Sequence, residues 1–139
     1  MLMDLNDKKH PIEKNKKLIN SIEFALTGLR TVVKDERNMR SHCFSAVLVI
    51  IIGFLFRLNQ QEWLWILLCI FLMLVMEIIN TIFENTVDMV TNKHFHPLGK
   101  KVKDMAAGAV LLTAGFSILV GMIIFIPKIY AVIVQLINK

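Results

Sequence analysis

The stretch WLWILLCIFLMLVMEIINTIFENTVDMV, from Trp63 to Val90, sets the architecture of the chain. Its first half is an uncharged apolar run, and a membrane-spanning helix needs about 20 mostly apolar residues. Its second half carries Glu77, Glu84 and Asp88, although an unpaired carboxylate in hydrocarbon costs a few kcal/mol or more. The stretch therefore predicts a membrane helix, and the presence of its three acids requires a structural or functional explanation.

The composition is that of a small membrane protein. The chain has 139 residues, of which 55% are hydrophobic and 19% charged, and its mean hydropathy is +0.59. This is too apolar for an ordinary soluble domain. Uncharged runs at 41–56, 63–76 and 105–127 predict three membrane helices. A buried helical core is the alternative, but so short a chain has nothing left to cover three such helices.

We therefore predict an all-α membrane protein with one integral membrane domain over residues 1–139. Its predicted parts are an interfacial amphipathic helix at about 12–33, transmembrane helices at about 36–57, 62–90 and 103–127, and a tail at 128–139. The amphipathic helix is indicated by apolar residues at helical spacing from Leu18 to Val32. A helix packed on a soluble partner is the alternative. Asp35 is the expected N-cap of the first span.

The basic residues predict the orientation in the bilayer. Nine of the sixteen Lys and Arg residues precede Ser41, and four more lie between residues 89 and 103. The positive-inside rule places the N-terminus and the 89–103 loop in the cytoplasm and the C-terminus outside the cell membrane. The net charge of +5 suits an anionic inner leaflet. Nucleic acid is not an expected partner, because no basic stripe is interleaved with aromatic residues.

The cysteines and histidines do not form a recognisable metal site. Cys43 and Cys69 lie within or beside predicted spans, where packing is expected rather than a disulfide. His94 and His96 form an H-x-H pair, but zinc takes three or four ligands. We expect a loop or ligand-contact role for these histidines.

The acids of the opening stretch share one helix face. At about 100° per residue, Glu77, Asn80, Glu84 and Asp88 fall within roughly 80° of one another and form a polar stripe about 16 Å long. The stripe runs from within the bilayer to its cytoplasmic edge. Four polar groups on one line indicate a site, and a polar clamp between helices is the alternative.

The cytoplasmic end of the stripe is expected to lie level with Glu36 and with Lys103 and Asp104 at the start of the third span. Carboxylates beside a lysine at a wet membrane boundary suit a divalent cation and a polyphosphate. A non-catalytic proton- or ion-conducting oligomer would also place acids in a membrane helix, but it needs neither Glu36 nor the Lys103–Asp104 pair.

Several motifs carry a family resemblance. They are F-A-x-x-G-L-R at Phe24–Arg30, E-R-N-x-R-x-H at Glu36–His42, E-x-x-N-T-x-x-E-x-T-V-D at Glu77–Asp88, K-H-x-H-P-L from Lys93, and K-D-x-A-A-G-A-V at Lys103–Val110. In this order they resemble the small bacterial membrane kinases of the prokaryotic diacylglycerol kinase/undecaprenol kinase family. The second and fourth motifs look more like the undecaprenol kinase branch of Gram-positive bacteria.

The resemblance implies a homotrimer of three-span protomers with composite active sites at the cytoplasmic interface. It implies an ATP- and magnesium-dependent kinase of a membrane lipid alcohol. Undecaprenol, giving undecaprenyl phosphate, is the expected substrate, and diacylglycerol, giving phosphatidic acid, is the alternative. Neither a G-x-x-x-x-G-K-[ST] loop nor a G-x-G-x-x-G loop is present to hold the phosphates. Small residues at Gly108, Ala114, Gly115 and Gly121 would permit close helix approach in an oligomer.

The resemblance also implies roles for individual residues. Glu77 resembles the general base, with Asn80 beside it, and Glu36 and Glu84 resemble magnesium ligands that also contact ATP. Asp88 is a motif acid without an assigned role. The other expected contacts are Lys17, Phe24, His94, His96, Lys103 and Asp104 for ATP, and Arg30 and Arg40 together with Glu77 for the lipid.

Overall fold

The computed structural model describes residues 18–138, and this part of the chain forms four α-helices. They are α1 (Leu18–Asp35), α2 (Arg37–Leu55), α3 (Gln60–Val90) and α4 (Pro97–Ile137). Helices α2, α3 and α4 are each long and apolar enough to cross a membrane. This confirms the prediction of an all-helical protein with three such segments.

Among the described residues, 18–31 and 32–138 belong to two separate compact units. In the first unit, Ile22, Leu26 and Leu29 are exposed at helical spacing on α1. The hydroxyl groups of Thr27 and Thr31 donate to backbone carbonyls one turn earlier. The part of the predicted amphipathic helix before residue 18 lies outside the described residues.

In the second unit, the junction between α1 and α2 differs from the expected one. Asp35 is the last residue of α1, and Glu36 takes the extended conformation at the N-cap position of α2 without a side-chain capping bond. The prediction of Asp35 as N-cap was therefore wrong. The Arg40 guanidinium donates to the backbone carbonyl of Lys34 at 2.6 Å. It thereby satisfies a carbonyl that has no partner within α1, which helps to end that helix.

A tight turn joins α2 to α3. Arg57 adopts a left-handed conformation with φ of 48°, and the backbone N–H of Leu58 donates to Gly53. Asn59 then caps α3, because its side chain accepts from the N–H of Glu62 at 2.9 Å and the Glu62 carboxylate accepts from the N–H of Asn59 at 2.7 Å. This reciprocal capping box sets the first residue of the long helix.

The apolar core lies beside this turn. Its buried residues are Leu58, Ile66, Cys69, Val120 and Ile124. Trp63 and Phe125 pack against this core. The centroid of the Trp63 ring lies 4.8 Å from that of Phe54, and the centroid of Phe125 lies 6.0 Å from that of Phe56. The ammonium group of Lys128 lies 3.0 Å from the Glu62 carboxylate and ties α4 to the start of α3. One end of the three-helix unit is therefore held mainly by apolar packing.

Helix α4 is longer than the predicted third span at both ends. It begins at Pro97, which is favoured in the first turn because that turn needs no N–H bond. The sequence did not reveal whether the helix extends beyond Pro127, and in the structure it continues through this proline to Ile137. With 41 residues, α4 is about 62 Å long, roughly twice the thickness of the hydrocarbon core of a bilayer.

Gly53 is required by the packing of the turn. A Cβ atom at this position would lie 2.7 Å from the Trp63 ring and 3.1 Å from Leu58. We predict that Gly53→Ala lowers the free energy of unfolding by about 1–3 kcal/mol, because the indole cannot move without disturbing the core. The measurement is SDS-induced unfolding in mixed micelles.

Gly28→Ala is the matched control. A Cβ atom there would meet no atom within 4 Å, and Gly28 lies on exposed α1. This variant should unfold at or above the wild-type midpoint, because alanine favours the helix. Equal stability of the two variants would contradict the packing described for the turn.

Candidate active site

The acidic stripe of α3 is buried at one end and open at the other. Among the described residues, Glu77, Asn80 and Thr81 are the buried polar side chains, with 2%, 6% and 5% of their surface exposed. Glu84 and Asp88, further along the same face, are half-buried. The polar face of α3 therefore leads from a closed position at Glu77 towards the surface.

A hydrogen bond within the stripe fixes two of its members. The Asn80 amide nitrogen donates to the Glu84 carboxylate at 2.9 Å, one helical turn away. The carbonyl oxygen of Asn80 is buried and has no hydrogen-bond partner among the described residues. Since an unpaired buried acceptor is costly, Asn80 offers a binding position for a donor from outside this protomer's described part.

Helix α2 contributes a histidine that the sequence analysis did not assign. The Nε2 atom of His42 lies 3.8 Å from the Glu77 carboxylate, and the two side chains are 26% and 3% exposed. Met39, one turn before His42, is buried, so both residues lie on the inward face of α2. His42 stands in the E-R-N-x-R-x-H string, but only the rotation of α2 about its axis reveals that it faces the acid.

An ion pair joins the open end of the stripe to α4, and a second ion pair lies within α4. The Lys103 ammonium lies 2.5 Å from the Asp88 carboxylate, and both side chains are about one-third exposed, at 34% and 38%. Lys100 pairs with Asp104 one turn along α4. Asp88, which had no assigned role, is thus the anionic partner of Lys103.

A cavity next to these ion pairs is lined by four of the eight predicted nucleotide contacts. Its volume is about 420 Å³, and its lining includes Asp88, His94, His96, Lys100, Lys103 and Asp104. The loop that forms one wall turns sharply, because Asn92 and Lys93 are both left-handed with φ of 50° and 59°. The structure therefore brings the two histidines of the loop to the same cavity as the start of α4.

An apolar groove lies beside His42, the neighbour of Glu77. It lies between α2, α3 and α4 and has a volume of about 370 Å³. His42 is part of its lining, and the other contacts are almost entirely apolar, among them Ala46, Cys69, Met73 and Ala114. The Glu77–His42 pair thus lies where a buried polar group meets a groove suited to hydrocarbon.

Other predicted site residues are not brought together. Glu36 is half-buried at the start of α2, and the described residues contain no group of three His, Cys, Asp or Glu side chains that could hold a metal ion. Arg40 is engaged with α1 carbonyls. Phe24 and Arg30 are exposed on α1 in the first unit, and Lys17 lies outside the described residues.

Known proteins similar to this chain are membrane lipid kinases. The family described as prokaryotic diacylglycerol kinase matches residues 23–125. The undecaprenol kinase of Bacillus subtilis (strain 168) is 42% identical over 124 residues, which are 89% of this chain and 99% of that protein. The diacylglycerol kinase of Synechocystis sp. is 33% identical over 131 residues, 91% of this chain and 75% of that protein. The diacylglycerol kinase of Helicobacter pylori (strain J99) is 34% identical over 97 residues, 70% and 75% of the two chains.

The Asp88–Lys103 pair leads to a test of the site geometry. We predict that Asp88→Asn and Lys103→Met each lower the free energy of unfolding slightly. The double variant should be little worse than either, giving a coupling energy of up to about 1 kcal/mol for side chains this exposed. Lys100 and Asp104 are the control pair, and removing both should show weaker coupling because they lie on one helix. Fully additive losses at Asp88 and Lys103 would contradict the ion pair.

Proposed function

This chain belongs to the prokaryotic diacylglycerol kinase family and is a lipid kinase, and from this premise we propose that it transfers the γ-phosphate of ATP to the hydroxyl group of undecaprenol. The product would be undecaprenyl phosphate. The observation that carries the proposal is the enclosed carboxylate of Glu77, which lies 3.8 Å from His42 in the lining of an apolar groove. Diacylglycerol, which gives phosphatidic acid, is the competing substrate.

Glu77 is suited to act as the general base. A lipid alcohol whose chain lies in the groove would bring its hydroxyl to the depth of Glu77, where little water competes for the carboxylate. The Asn80 carbonyl oxygen, free of partners among the described residues, lies one turn along the same face and would orient the arriving group. A base in this position removes the hydroxyl proton while the alcohol oxygen attacks the γ-phosphorus and the bond to ADP breaks.

Glu84 and Glu36 are the residues that would hold magnesium. Carboxylate oxygens are the ligands that magnesium prefers, and it needs only one or two of them when phosphates and water complete the shell. Asn80 donates to Oε1 of Glu84, so the other carboxylate oxygen would be the one to bind the metal ion. The absence of a three-ligand group within residues 18–138 fits a metal that arrives with the nucleotide. When bound, magnesium would neutralise charge on the phosphate oxygens.

The cavity beside the loop of His94 and His96 is the proposed nucleotide site. Lys100 and Lys103 supply positive charge there, and Asp88 and Asp104 balance that charge when phosphate is absent. The phosphates of ATP would take over the lysines from the aspartates, because they carry more charge than a single carboxylate. Lys17 and Phe24 are proposed as further ATP contacts, and Arg30 as a lipid contact.

We place this site within a homotrimer whose active sites are shared between protomers. A Cβ atom at Gly108, Gly115 or Gly121 would meet no atom within 4 Å in the protomer, so packing within the described chain does not explain these small residues. Close approach of a neighbouring copy would explain them. The proposed orientation has the N-terminus and the 89–103 loop in the cytoplasm and the C-terminus outside.

Purified protein with radiolabelled ATP tests the function directly. In mixed micelles, we expect kcat/KM for undecaprenol to exceed that for diacylglycerol. The identity of 42% to an undecaprenol kinase over most of both chains supports this order. A higher kcat/KM for diacylglycerol would overturn the choice of substrate. Failure to phosphorylate any lipid alcohol would overturn the kinase assignment.

Replacing the two glutamates of the stripe by glutamine should impair different steps of the reaction. We predict that Glu77→Gln still binds magnesium-ATP but that its kcat falls by about 10²–10⁴, because an amide cannot take the proton. Glu84→Gln should instead weaken nucleotide binding, with partial recovery at higher magnesium concentrations. Nucleotide affinity and turnover are measured on the same preparations.

Glu62→Gln is the matched control for this pair. Glu62 lies at the opposite end of α3, and glutamine can still accept the capping bond of Asn59. Its kcat and nucleotide affinity should stay at wild-type values. Equal loss of nucleotide binding in Glu77→Gln and Glu84→Gln would show that the roles are assigned wrongly.

A further inference from the structure

The enclosure of Glu77 raises a question about the proton that it removes. Each phosphate transfer leaves one proton on this carboxylate, and the carboxylate must lose it before the next turnover. The Glu77 side chain is 3% exposed, so water has little direct access to it. A group that connects Glu77 to solvent is therefore needed for repeated turnover.

His42 is placed to provide this connection. Its Nε2 atom is 3.8 Å from the Glu77 carboxylate, and its side chain is 26% exposed, far more than that of Glu77. Imidazole can take a proton on one ring nitrogen and release one from the other near neutral pH. A separation somewhat longer than a hydrogen bond is common in a free enzyme and shortens when substrate is bound.

The other polar groups around Glu77 cannot serve in the same way. Asn80 has no titratable group, and its amide is committed to Glu84. His94 and His96 line the separate cavity beside the α3–α4 loop. Within the described residues, His42 is the partner that the structure gives to the Glu77 carboxylate.

We propose that His42 is a positioning residue that acts through Glu77 and carries the proton from it to water. This inference rests on the proposed kinase function. The lipid O–H proton passes to the Glu77 carboxylate as the new P–O bond forms and the bond to ADP breaks. The carboxylic acid then passes the proton to Nε2 of neutral His42, and the imidazolium releases a proton from Nδ1 to water. Glu77 returns to its anionic form, and rotation of the imidazole ring or proton exchange with water restores the neutral His42 tautomer whose Nε2 can accept again.

The proposal separates the first turnover from the following ones. In His42→Ala, Glu77 can still take one proton, so the single-turnover rate with enzyme in excess should remain within about twofold of the wild type. The steady-state kcat should fall by about 10²-fold, at the low end of what proton-transfer groups contribute. KM for the lipid should fall with it, because kcat/KM depends only on the steps up to phosphate transfer, which His42 does not affect. Added imidazole should restore the steady-state rate in proportion to its concentration.

Two controls separate this role from a packing role. His42→Gln keeps most of the side-chain volume but carries no proton, so it should fold normally and show the same slow steady state. Ser41→Ala changes an exposed residue of α2 outside the groove lining and should leave both phases unchanged. Imidazole should not restore the steady-state rate of Glu77→Gln, because this variant has no carboxylate that takes the proton of the lipid hydroxyl.

The outcomes that would overturn the proposal are clear. A normal steady-state kcat in His42→Ala and His42→Gln would show that the proton leaves by another route. Equal loss in both phases, without recovery by imidazole, would show that His42 only supports the shape of the site. Both results are measured relative to an active wild-type enzyme. A wild-type protein without kinase activity would instead contradict the proposed function.

Discussion

The candidate active site depends on one carboxylate of the long apolar helix α3 that is buried away from water. A buried charge costs several kcal/mol unless it is compensated, and simple packing offers no reason to keep it. Glu77 is 2% exposed and has a histidine 3.8 Å away instead of a close ion pair. Its position makes sense if the carboxylate acts on a group that reaches it through the apolar phase. A lipid hydroxyl is such a group.

The two ends of the three-helix unit are built on different physical principles. Near the α2–α3 turn, apolar packing around Ile66 and Cys69, a capping box and the Glu62–Lys128 pair hold the helices together. At the other end, polar contacts replace the apolar core, with Asp88–Lys103 as the link between α3 and α4. The packed end can hold the helices in register while the polar end remains open to charged ligands.

Features set by periodicity along one helix could be predicted from the sequence, whereas features set by helix rotation could not. The 3.6-residue repeat placed Glu77, Asn80, Glu84 and Asp88 on one face, and the graded burial of these residues follows that face. The pairing of Asp88 with Lys103 and the approach of His42 depend on how α4 and α2 are turned about their axes. The rotation of a helix about its axis relative to its neighbours cannot be derived from a single sequence. The start of α4 at Pro97 did have a local signal, since proline is favoured in the first turn of a helix. The prediction began the third span at about residue 103 because the lysines between Pro97 and that residue are not typical of a membrane segment.

The central claim is that Glu77 is retained for chemistry at a cost in stability, and Glu77→Met tests it most directly. Methionine has a similar length, is apolar and fits a helix, so it removes the buried charge with little change in packing. Unfolding free energy and phosphate transfer from ATP to undecaprenol are measured on the same preparation. We expect the variant to be at least as stable as the wild type and to transfer no measurable phosphate. A variant that unfolds much more readily, yet keeps its transfer rate per folded molecule, would show that Glu77 serves the fold and would contradict this account.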